Sequence, residues 1–229
     1  MKNHLKRIAS PRTWIINRKN NKYIMKPNAG AHSLENGLAL GLIMRDNLKL
    51  AFTMNEVRKI LNGKEILVDG KRRKDPRFIV GLFDVVSIPT LKKSFRLIFD
   101  KKGRIIVNEI NDKESLIKVS KVIGKTILAK GKIQLNLHDG KNILSDANVK
   151  VGDSVVLSLP DLKIKEVLPL KEGVTIFLTK GKHGGSVGTH KEIKNNEATY
   201  SADGKDVETA KSYLFVVGSG KGSMIAIEN

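Results

Sequence analysis

Positive charge is concentrated in the first half of this 229-residue chain, and this distribution limits how the chain can fold. Residues 1–110 contain 24 Lys and Arg against 9 Asp and Glu, whereas the rest contains 18 against 14. The formal net charge is +19. Such a surplus opposes compaction through self-repulsion unless a polyanion compensates it, which favours nucleic acid, or less often an anionic membrane, as the partner. An acidic protein partner is a weaker alternative.

The N-terminal segment, residues 1–37, has no acidic side chain before Glu35. Because its cations lack an internal counter-charge, we expect a basic arm that becomes ordered on a phosphate surface. Large apolar residues, Trp14 among them, argue against a purely solvating tail. The indole of Trp14 could stack on an RNA base, and a small local core explains it equally well. The candidate RNA-binding cations of the segment are Lys2, Lys6, Arg7, Arg12, Lys19, Lys22 and Lys26.

Two helices are predicted in the segment that follows. Apolar residues spaced through Leu34–Leu48 indicate the first helix. Thr53 and Glu56 form a capping-box pattern that introduces the second helix. Asn62 and Gly63 are expected to end it, because both residues tolerate the left-handed conformation that closes helices.

A hairpin with a cluster of cations is predicted next. The short strand Glu65–Val68 leads into Asp69-Gly70, a dipeptide suited to a tight hairpin turn. Nearby acids are too few to neutralise the cations that follow, so we expect these to face phosphates, with a solvated charge run as the alternative. The cations are Lys71, Arg72, Arg73, Lys74 and, just beyond, Arg77.

From Phe95 onward the apolar pattern has a period of two and is broken by glycine turns, which predicts strands. The pattern indicates a small, barrel-like β-domain and then a further β unit with a glycine-rich turn from Lys180 to Gly188. The predicted class is therefore α+β with several domains. The expected strands are Phe95–Phe99, Arg104–Val107, Leu116–Ile123, Ile127–Leu128, Ile133–Leu137, Asn142–Leu144, Ser154–Leu159, Asp161–Leu168, Gly173–Leu178, Ala198–Tyr200, Glu208–Thr209 and Tyr213–Val217.

Residue content argues against several kinds of chemistry. The absence of cysteine removes disulfides, thiolate zinc sites and cysteine nucleophiles. The histidines lack metalloprotease spacing and no nucleophile-elbow motif occurs, so we expect no metal, no cofactor, no small-molecule substrate and no enzymatic activity. The longest apolar runs are shorter than the ~20 residues that span a bilayer, and the N-terminus lacks the features of a secretory signal. We therefore expect a cytoplasmic protein without membrane attachment.

Motifs along nearly the whole chain resemble the "four-e" family of small-subunit ribosomal proteins, which archaea and eukaryotes share. Their order and spacing are specific, whereas single tripeptides would mean little. The resemblance implies an archaeal member. The motifs are His4–Pro11 with Trp14, Lys26–Gly30 with His32, Ile43–Lys49, Val68–Asp75, Gly81–Ile88, Phe95–Leu97 and Lys102–Arg104.

The resemblance implies four segments. These are the basic arm at 1–37, an RNA-binding domain like that of bacterial ribosomal protein four at 38–92, the family's central β-domain at 93–168, and a KOW-like small β-barrel at 169–229. In the second segment the two helices and the following turn would present cations to structured RNA. The further candidate RNA-binding residues are His32, Arg45, Lys49, Arg58, Lys59, Lys92, Lys93, Arg96, Lys182 and His183.

The KOW-like turn would contain Gly181, Gly184, Gly185 and Gly188. We expect Gly185 to be its key glycine, at a position that needs a positive φ or a close approach of backbone.

The implied function is that of a structural constituent of the small ribosomal subunit, binding folded 16S-type rRNA beside neighbouring small-subunit proteins. Folded RNA offers phosphates, 2′-hydroxyls and splayed bases to such a protein. One alternative is an RNA-modifying enzyme, for whose catalytic domain the chain leaves no room. The other is a non-ribosomal factor, either a KOW-type transcription elongation factor or an RNA chaperone.

Overall fold

The structure, a computed structural model, describes residues 3–145, 147–194, 196–202, 204–220 and 222–227. The chain divides into two compact units. The first consists of Met1–Ile98 and Arg104–Leu116, and the second of Phe99–Gly103 and Ile117–Asn229. None of the helices in the described part of the chain has the length and apolarity needed to span a membrane.

The first unit combines one five-stranded sheet, in the order β5-β4-β7-β8-β9, with the pairs β1–β2 and β3–β6. Helix α1 continues as a π-helix over Ile43–Asn47, and single 3-10 turns cover Arg7–Ala9 and Pro89–Leu91. The elements are β1 (Leu5–Lys6), β2 (Tyr23–Ile24), β3 (Gly37–Ala39), α1 (Leu40–Leu42), α2 (Met54–Gly63), β4 (Leu67–Val68), β5 (Lys71–Arg72), β6 (Ile79–Gly81), β7 (Val85–Ile88), β8 (Lys93–Phe99), β9 (Ile105–Ile110) and α3 (Asp112–Ser115).

The prediction of one helix over Leu34–Leu48 is wrong in its first part. Gly37–Ala39 is a strand that pairs with Ile79–Gly81. At the start of the helix, the backbone N–H groups of Leu40 and Gly41 donate to carbonyl groups of the 76–78 segment. Tertiary partners therefore supply the backbone hydrogen bonds that a longer helix would have made internally.

The second unit contains two five-stranded sheets whose paired strands are all antiparallel, in the orders β12-β11-β10-β13-β14 and β18-β17-β16-β15-β19. The prediction of a strand-rich second half is confirmed. The strands are β10 (Ile117–Ile127), β11 (Ile133–Leu137), β12 (Asn142–Leu144), β13 (Ser154–Ser158), β14 (Lys163–Leu168), β15 (Thr175–Leu178), β16 (Val187–Lys194), β17 (Glu197–Ala202), β18 (Lys205–Ala210) and β19 (Leu214–Gly218).

Strand β10 replaces the two short strands predicted at Leu116–Ile123 and Ile127–Leu128. Its first half pairs with β13 and its second half with β11, and the register shifts between Val122 and Gly124. A bulge bends a strand, and glycine commonly marks such a bend. Gly124 therefore lies at a bend within one strand, whereas the sequence pattern predicted that this glycine separates two strands.

Strand β16 was not predicted, because the glycine-rich turn was expected to continue to Gly188. The turn ends earlier, and Gly188 lies in the strand, paired with Ile176 of β15. A Cβ at Gly188 would come within 2.6 Å of the Ser201 carbonyl oxygen on β17. The strand is rich in polar and half-exposed residues, which hides it from a search for apolar alternation.

A buried ion pair lies in the second unit. Lys118 Nζ is 2.8 Å from Asp139 Oδ2, and the two side chains are 0% and 1% exposed. Lys141, which is partly exposed, approaches the same oxygen to 3.1 Å. Burial alone would raise the pKa of Asp139, but the two ammonium groups outweigh this effect and hold the pKa far below its ordinary value of 3.8.

We expect Lys118→Met to lower the free energy of unfolding by about 3 kcal/mol, since it leaves a buried carboxylate with one partly exposed partner. Urea denaturation at pH 7 measures this loss. The matched variant Lys141→Met should cost less than about 1 kcal/mol, because the lysine it removes is partly solvated. Equal losses in the two variants would contradict the dominant role of Lys118.

The same pair should make stability depend on acid pH. Because Asp139 has a lower pKa in the folded chain than in the unfolded one, its contribution is complete above the unfolded value near 3.8 and is lost as the pH falls below it. The parent chain should therefore lose stability more steeply below about pH 4 than Lys118→Met does, as followed by thermal melting. Parallel profiles for the two proteins would count against the pair.

Candidate nucleic-acid interface

Helix α2 starts at the predicted capping box. Thr53 Oγ1 accepts a hydrogen bond of 3.2 Å from the backbone N–H of Glu56. The Glu56 carboxylate accepts in return from the backbone N–H groups of Phe52 and Thr53, which lowers its pKa. The helix buries Val57 and Leu61. Its exposed face carries the predicted cations Arg58 and Lys59.

The predicted end of α2 is confirmed in position, but its mechanism is different. The helix ends at Gly63. The next residue, Lys64, is extended at φ −112°, and its N–H donates to the carbonyl of Ile60 at 2.7 Å. Neither Asn62 nor Gly63 has a positive φ. The chain therefore leaves the helix directly into an extended conformation that leads to β4.

The hairpin β4–β5 presents the central cations. Asp69 and Gly70 have φ of +50° and +75°, and the flanking strands pair antiparallel across this two-residue turn. Positive φ at both turn residues gives the twist that a tight hairpin needs. Lys71 and Arg72 form the exposed edge strand β5.

The four cations of the cluster 71–74 differ in their surroundings. Arg72 Nη2 donates to the carbonyl of Asn62 at 3.1 Å, which ties the hairpin to the end of α2. The Arg73 guanidinium lies 4.3 Å from the ring centroid of Phe78 and is half-buried. Lys71 and Lys74 are exposed. The cluster therefore offers three exposed cations, with the fourth engaged by an aromatic ring.

The two carboxylates that flank the cluster in the sequence, Asp69 and Asp75, are engaged elsewhere. Asp69 Oδ1 accepts a hydrogen bond from the backbone N–H of Val85, and Asp75 accepts from the backbone of Arg77 and the side chain of Asn28. Among the described residues, no carboxylate lies within ion-pair distance of the cluster 71–74. Its positive charge is therefore left for an external anion.

The N-terminal segment is folded onto itself and divides its cations into two groups. Arg7 is buried and Arg18 half-buried, and both donate to backbone carbonyls of the segment, those of Asn17, Ser10 and Pro11. Strands β1 and β2 pair across it. The Arg7 guanidinium thus makes an internal hydrogen bond, and its predicted contact with RNA stays a prediction. The exposed candidates are Lys6, Arg12, Lys19 and Lys22, while Lys2 lies outside the described residues.

Trp14 belongs to the local core. Its side chain is 2% exposed, and its indole N–H donates to the carbonyls of Leu34 and Gly37 at 3.1 and 3.0 Å. Of the two explanations that the sequence left open, the structure supports the local core. Base stacking by Trp14 is corrected accordingly, because its ring faces protein.

His32 and Arg96 are also internal. His32 Nε2 lies 2.9 Å from Asp84 Oδ2, with both side chains buried. Arg96 is fully buried and donates to the carbonyl of Glu114 at 2.9 Å, and burial lowers the pKa of its guanidinium. Neither side chain reaches the surface, which corrects their assignment as RNA contacts.

The remaining candidates of the first unit are exposed to different degrees. Lys49 and Lys92 are exposed, whereas Lys93 forms a surface ion pair with Glu109 at 2.9 Å. Lys26 and Arg77 are half-exposed and border one shallow groove. Arg45 is half-exposed and is held by both carboxylate oxygens of its neighbour Asp46.

A second groove is bordered by Arg45, Lys49 and one exposed aromatic side chain, Phe52. The sequence analysis missed this aromatic residue. Phe52 directly precedes the N-cap of α2, a position at which an apolar residue often packs onto the first turn of the helix. The structure leaves it 92% exposed instead. The exposure of its ring and its position in one groove with Arg7 depend on the fold, so the tertiary structure was needed to identify it.

The glycine-rich loop of the second unit joins β15 to β16. Lys182 and His183 are exposed on it. Gly185 has φ +89°, and a Cβ there would collide with the backbone carbonyl of Asp100. Both reasons that the sequence suggested for a glycine at 185, a positive φ and a close approach, are present.

We expect Gly185→Ala to destabilise the chain by about 2 kcal/mol, because the added methyl group meets a strained φ and a backbone carbonyl. Thermal or urea unfolding measures the loss. Gly184→Ala is the matched control, since the nearest atom to its Cβ would lie at 3.4 Å and its φ is not positive. A loss at 185 no larger than at 184 would refute the steric argument.

Family models match three successive parts of the chain. The S4 domain model matches residues 44–86, which include α2 and the hairpin β4–β5. The RS4NT domain matches residues 1–35, and the model of ribosomal family S4e matches residues 91–164. The chain is thus of the class that joins an S4 domain to several β-sheets. Of the predicted α+β multidomain fold, the S4-type domain and a mostly β chain with few helices are confirmed.

Relatives match over nearly the full length. The small ribosomal subunit proteins eS4 of Methanocella arvoryzae and Archaeoglobus fulgidus are each 42% identical, over 94% of this chain and 94% and 93% of their own lengths. The crystal structure of the 30S ribosomal protein S4e from Thermoplasma acidophilum is similar with a TM-score of 0.72 and 31% identity, covering 83% of this chain and 99% of that protein. The chain belongs to the ribosomal protein family S4e.

Proposed function

We propose that this chain is a non-catalytic constituent of the small ribosomal subunit in the cytoplasm of an archaeon, where it binds folded 16S-type rRNA. The observation that carries this proposal is the exposed cation cluster 71–74, whose neighbouring carboxylates hold backbone N–H groups. Membership of family S4e supports the ribosomal setting. It also favours this role over that of a non-ribosomal transcription or RNA-chaperone factor.

The RNA-binding surface in this proposal is built from several parts of the first unit. Helix α2 contributes Arg58 and Lys59, and the hairpin contributes the cluster 71–74. Each neutralised phosphate releases counterions, so dispersed contacts add both affinity and sensitivity to salt. The exposed cations proposed to join them are Lys6, Arg12, Lys19, Lys22, Lys49, Lys92 and Lys93, together with the half-exposed Lys26 and Arg77.

The second unit is proposed to contribute a KOW-like element. The β15–β16 loop has Gly185 at a positive φ and exposes Lys182 and His183, which is the character of a turn that touches RNA or a neighbouring small-subunit protein. We retain the four segments 1–37, 38–92, 93–168 and 169–229 as the proposed functional organisation. Strand β8 lies at the start of the third segment but hydrogen-bonds to β7, so it joins the sheet of the second segment.

The triple variant Lys71→Ala, Arg72→Ala, Lys74→Ala should bind small-subunit rRNA more weakly and with less dependence on salt. The logarithm of the binding constant falls by about 0.7–0.9 for each phosphate contact per decade of salt, so losing three contacts should reduce the slope by about 2 to 3. Filter binding of the full-length chain to transcribed 16S-type rRNA, at salt concentrations from 50 to about 300 mM, measures both quantities.

A matched control removes the same charge from the second unit. Lys150, Lys163 and Lys165 are exposed and lie outside the proposed surface, so their triple alanine variant should retain most of the slope. Thermal melting confirms that each variant is folded. If the control loses as much affinity and slope as the cluster variant, net charge rather than the hairpin determines binding. Salt-insensitive binding by the parent chain would remove the phosphate mechanism.

A further inference from the structure

Phe52 is the starting point, since it is more exposed than any other large apolar residue in the described part of the chain. Single apolar residues on a surface are common and need no explanation by themselves. The backbone N–H of Phe52 holds Glu56 in the capping box, whereas the ring makes no contribution to that cap. The neighbours of the ring therefore decide whether it has a role.

Those neighbours form a polar groove in the first unit. The groove has a volume of about 370 Å³, within the range of about 300–1,000 Å³ that is common for small-ligand sites. Phe52 is the sole aromatic residue among those that border it, and the rest of the lining is dominated by side chains able to form hydrogen bonds. These polar residues are Arg7, Asn20, Asn21, Arg45, Asp46 and Lys49.

The charges in the groove favour an anion. Asp46 is engaged with Arg45 by hydrogen bonds of 2.6 and 2.9 Å, and the pair raises the pKa of Arg45 and offsets its charge. Arg7 and Lys49 remain as two further cations. The groove therefore carries a positive charge surplus although it contains a carboxylate.

Arg7 supplies an independent observation that points to a ligand. The residue is 6% exposed, and its Nη1 donates to the carbonyl of Asn17 at 2.7 Å. Its Nε is buried and has no acceptor among the described residues. An unpaired donor on a buried guanidinium is costly, so an acceptor brought by a ligand would stabilise it.

Lys49 is positioned by an unusual backbone. It directly follows Leu48, the C-cap of the π-helix, and has φ +53°, a conformation that costs a residue other than glycine free energy. The hydrogen bond from Leu48 N to Ile43 O at 2.8 Å, which closes the π-turn, holds the chain there. The result is an exposed ammonium group on the border of the same groove as the Phe52 ring.

We propose that this groove holds one unpaired nucleotide of the RNA, with its base stacked on Phe52 and its phosphate between Arg7 and Lys49. The inference rests on the proposed function. An aromatic face accepts any unstacked base, amide groups such as those of Asn20 and Asn21 can hydrogen-bond to a base edge, and cations bind the phosphate. A base within a duplex is already stacked, so the site is specific for a bulged or loop nucleotide.

The first test compares Phe52→Ala and Phe52→Trp in the full-length chain, with transcribed 16S-type rRNA as the probe. Loss of one stacked base should weaken binding about 5- to 150-fold without changing the salt slope, because no charge is removed. Phe52→Trp should bind like the parent. Ile127→Ala is the matched control: Ile127 is 78% exposed, lies in the second unit, and its removal should leave the affinity unchanged.

The second test observes the stack directly. The exposed indole of Phe52→Trp should lose fluorescence on addition of the rRNA and be protected from acrylamide, whereas the indole of Ile127→Trp should not, and the buried Trp14 should contribute equally to both. A fully paired RNA duplex of defined sequence should leave the fluorescence of Phe52→Trp unchanged. Melting curves establish that all variants are folded.

The outcomes separate this inference from the proposed function. If the parent binds with a steep salt slope while Phe52→Ala binds equally well and Phe52→Trp is not quenched, the nucleotide site is refuted and the phosphate surface stands. Quenching by duplex RNA, or equal quenching of Ile127→Trp, would likewise overturn it. Failure of the parent chain to bind the rRNA would overturn both.

Discussion

Four buried aspartates need hydrogen-bond donors inside the protein, and this constraint affects which exposed cations are neutralised. Asp69, Asp84, Asp139 and Asp153 are buried, and a carboxylate is tolerated inside a protein only when donors surround it. All four accept hydrogen bonds from backbone N–H groups, and Asp139 also pairs with Lys118. Carboxylates that are buried and hydrogen-bonded in this way cannot neutralise exposed lysine and arginine side chains. Asp69, two residues before the cluster 71–74, is one of them, and the cluster has no carboxylate within ion-pair distance among the described residues.

Arginine and lysine have different roles in the first unit. The guanidinium groups of Arg7, Arg18 and Arg96 donate to backbone carbonyls and hold loops together. A planar group with five donors suits this task, whereas the compact ammonium of lysine is strongly hydrated and favours the surface. Lys71 and Lys74 accordingly lie exposed on or beside the hairpin. A list of cations read from the sequence thus overstates how many are available to RNA.

The local features that the sequence determined are those that depend on a few neighbouring residues. The capping box of Thr53 and Glu56 and the turn at Asp69-Gly70 are present as expected, because each is defined by side chains or φ angles within four residues. The strand Ile133–Leu137 agrees residue for residue, since its alternation and flanking turns are clear. The family motifs also indicated the order along the chain of an N-terminal segment, an S4-type domain and a β-rich region, and the family models match in this order.

Tertiary structure decided the rest, because burial and strand pairing depend on residues far away in the chain. Apolar spacing before α1 fits a helix, yet Gly37–Ala39 became a strand because β6 offered it hydrogen-bonding partners. The inward positions of Trp14 and His32, and the exposure of Phe52 beside a basic groove, follow from contacts that no local pattern encodes. Sequence alone determined that this chain carries excess positive charge on an S4-type framework, and folding determined which of those charges face outward.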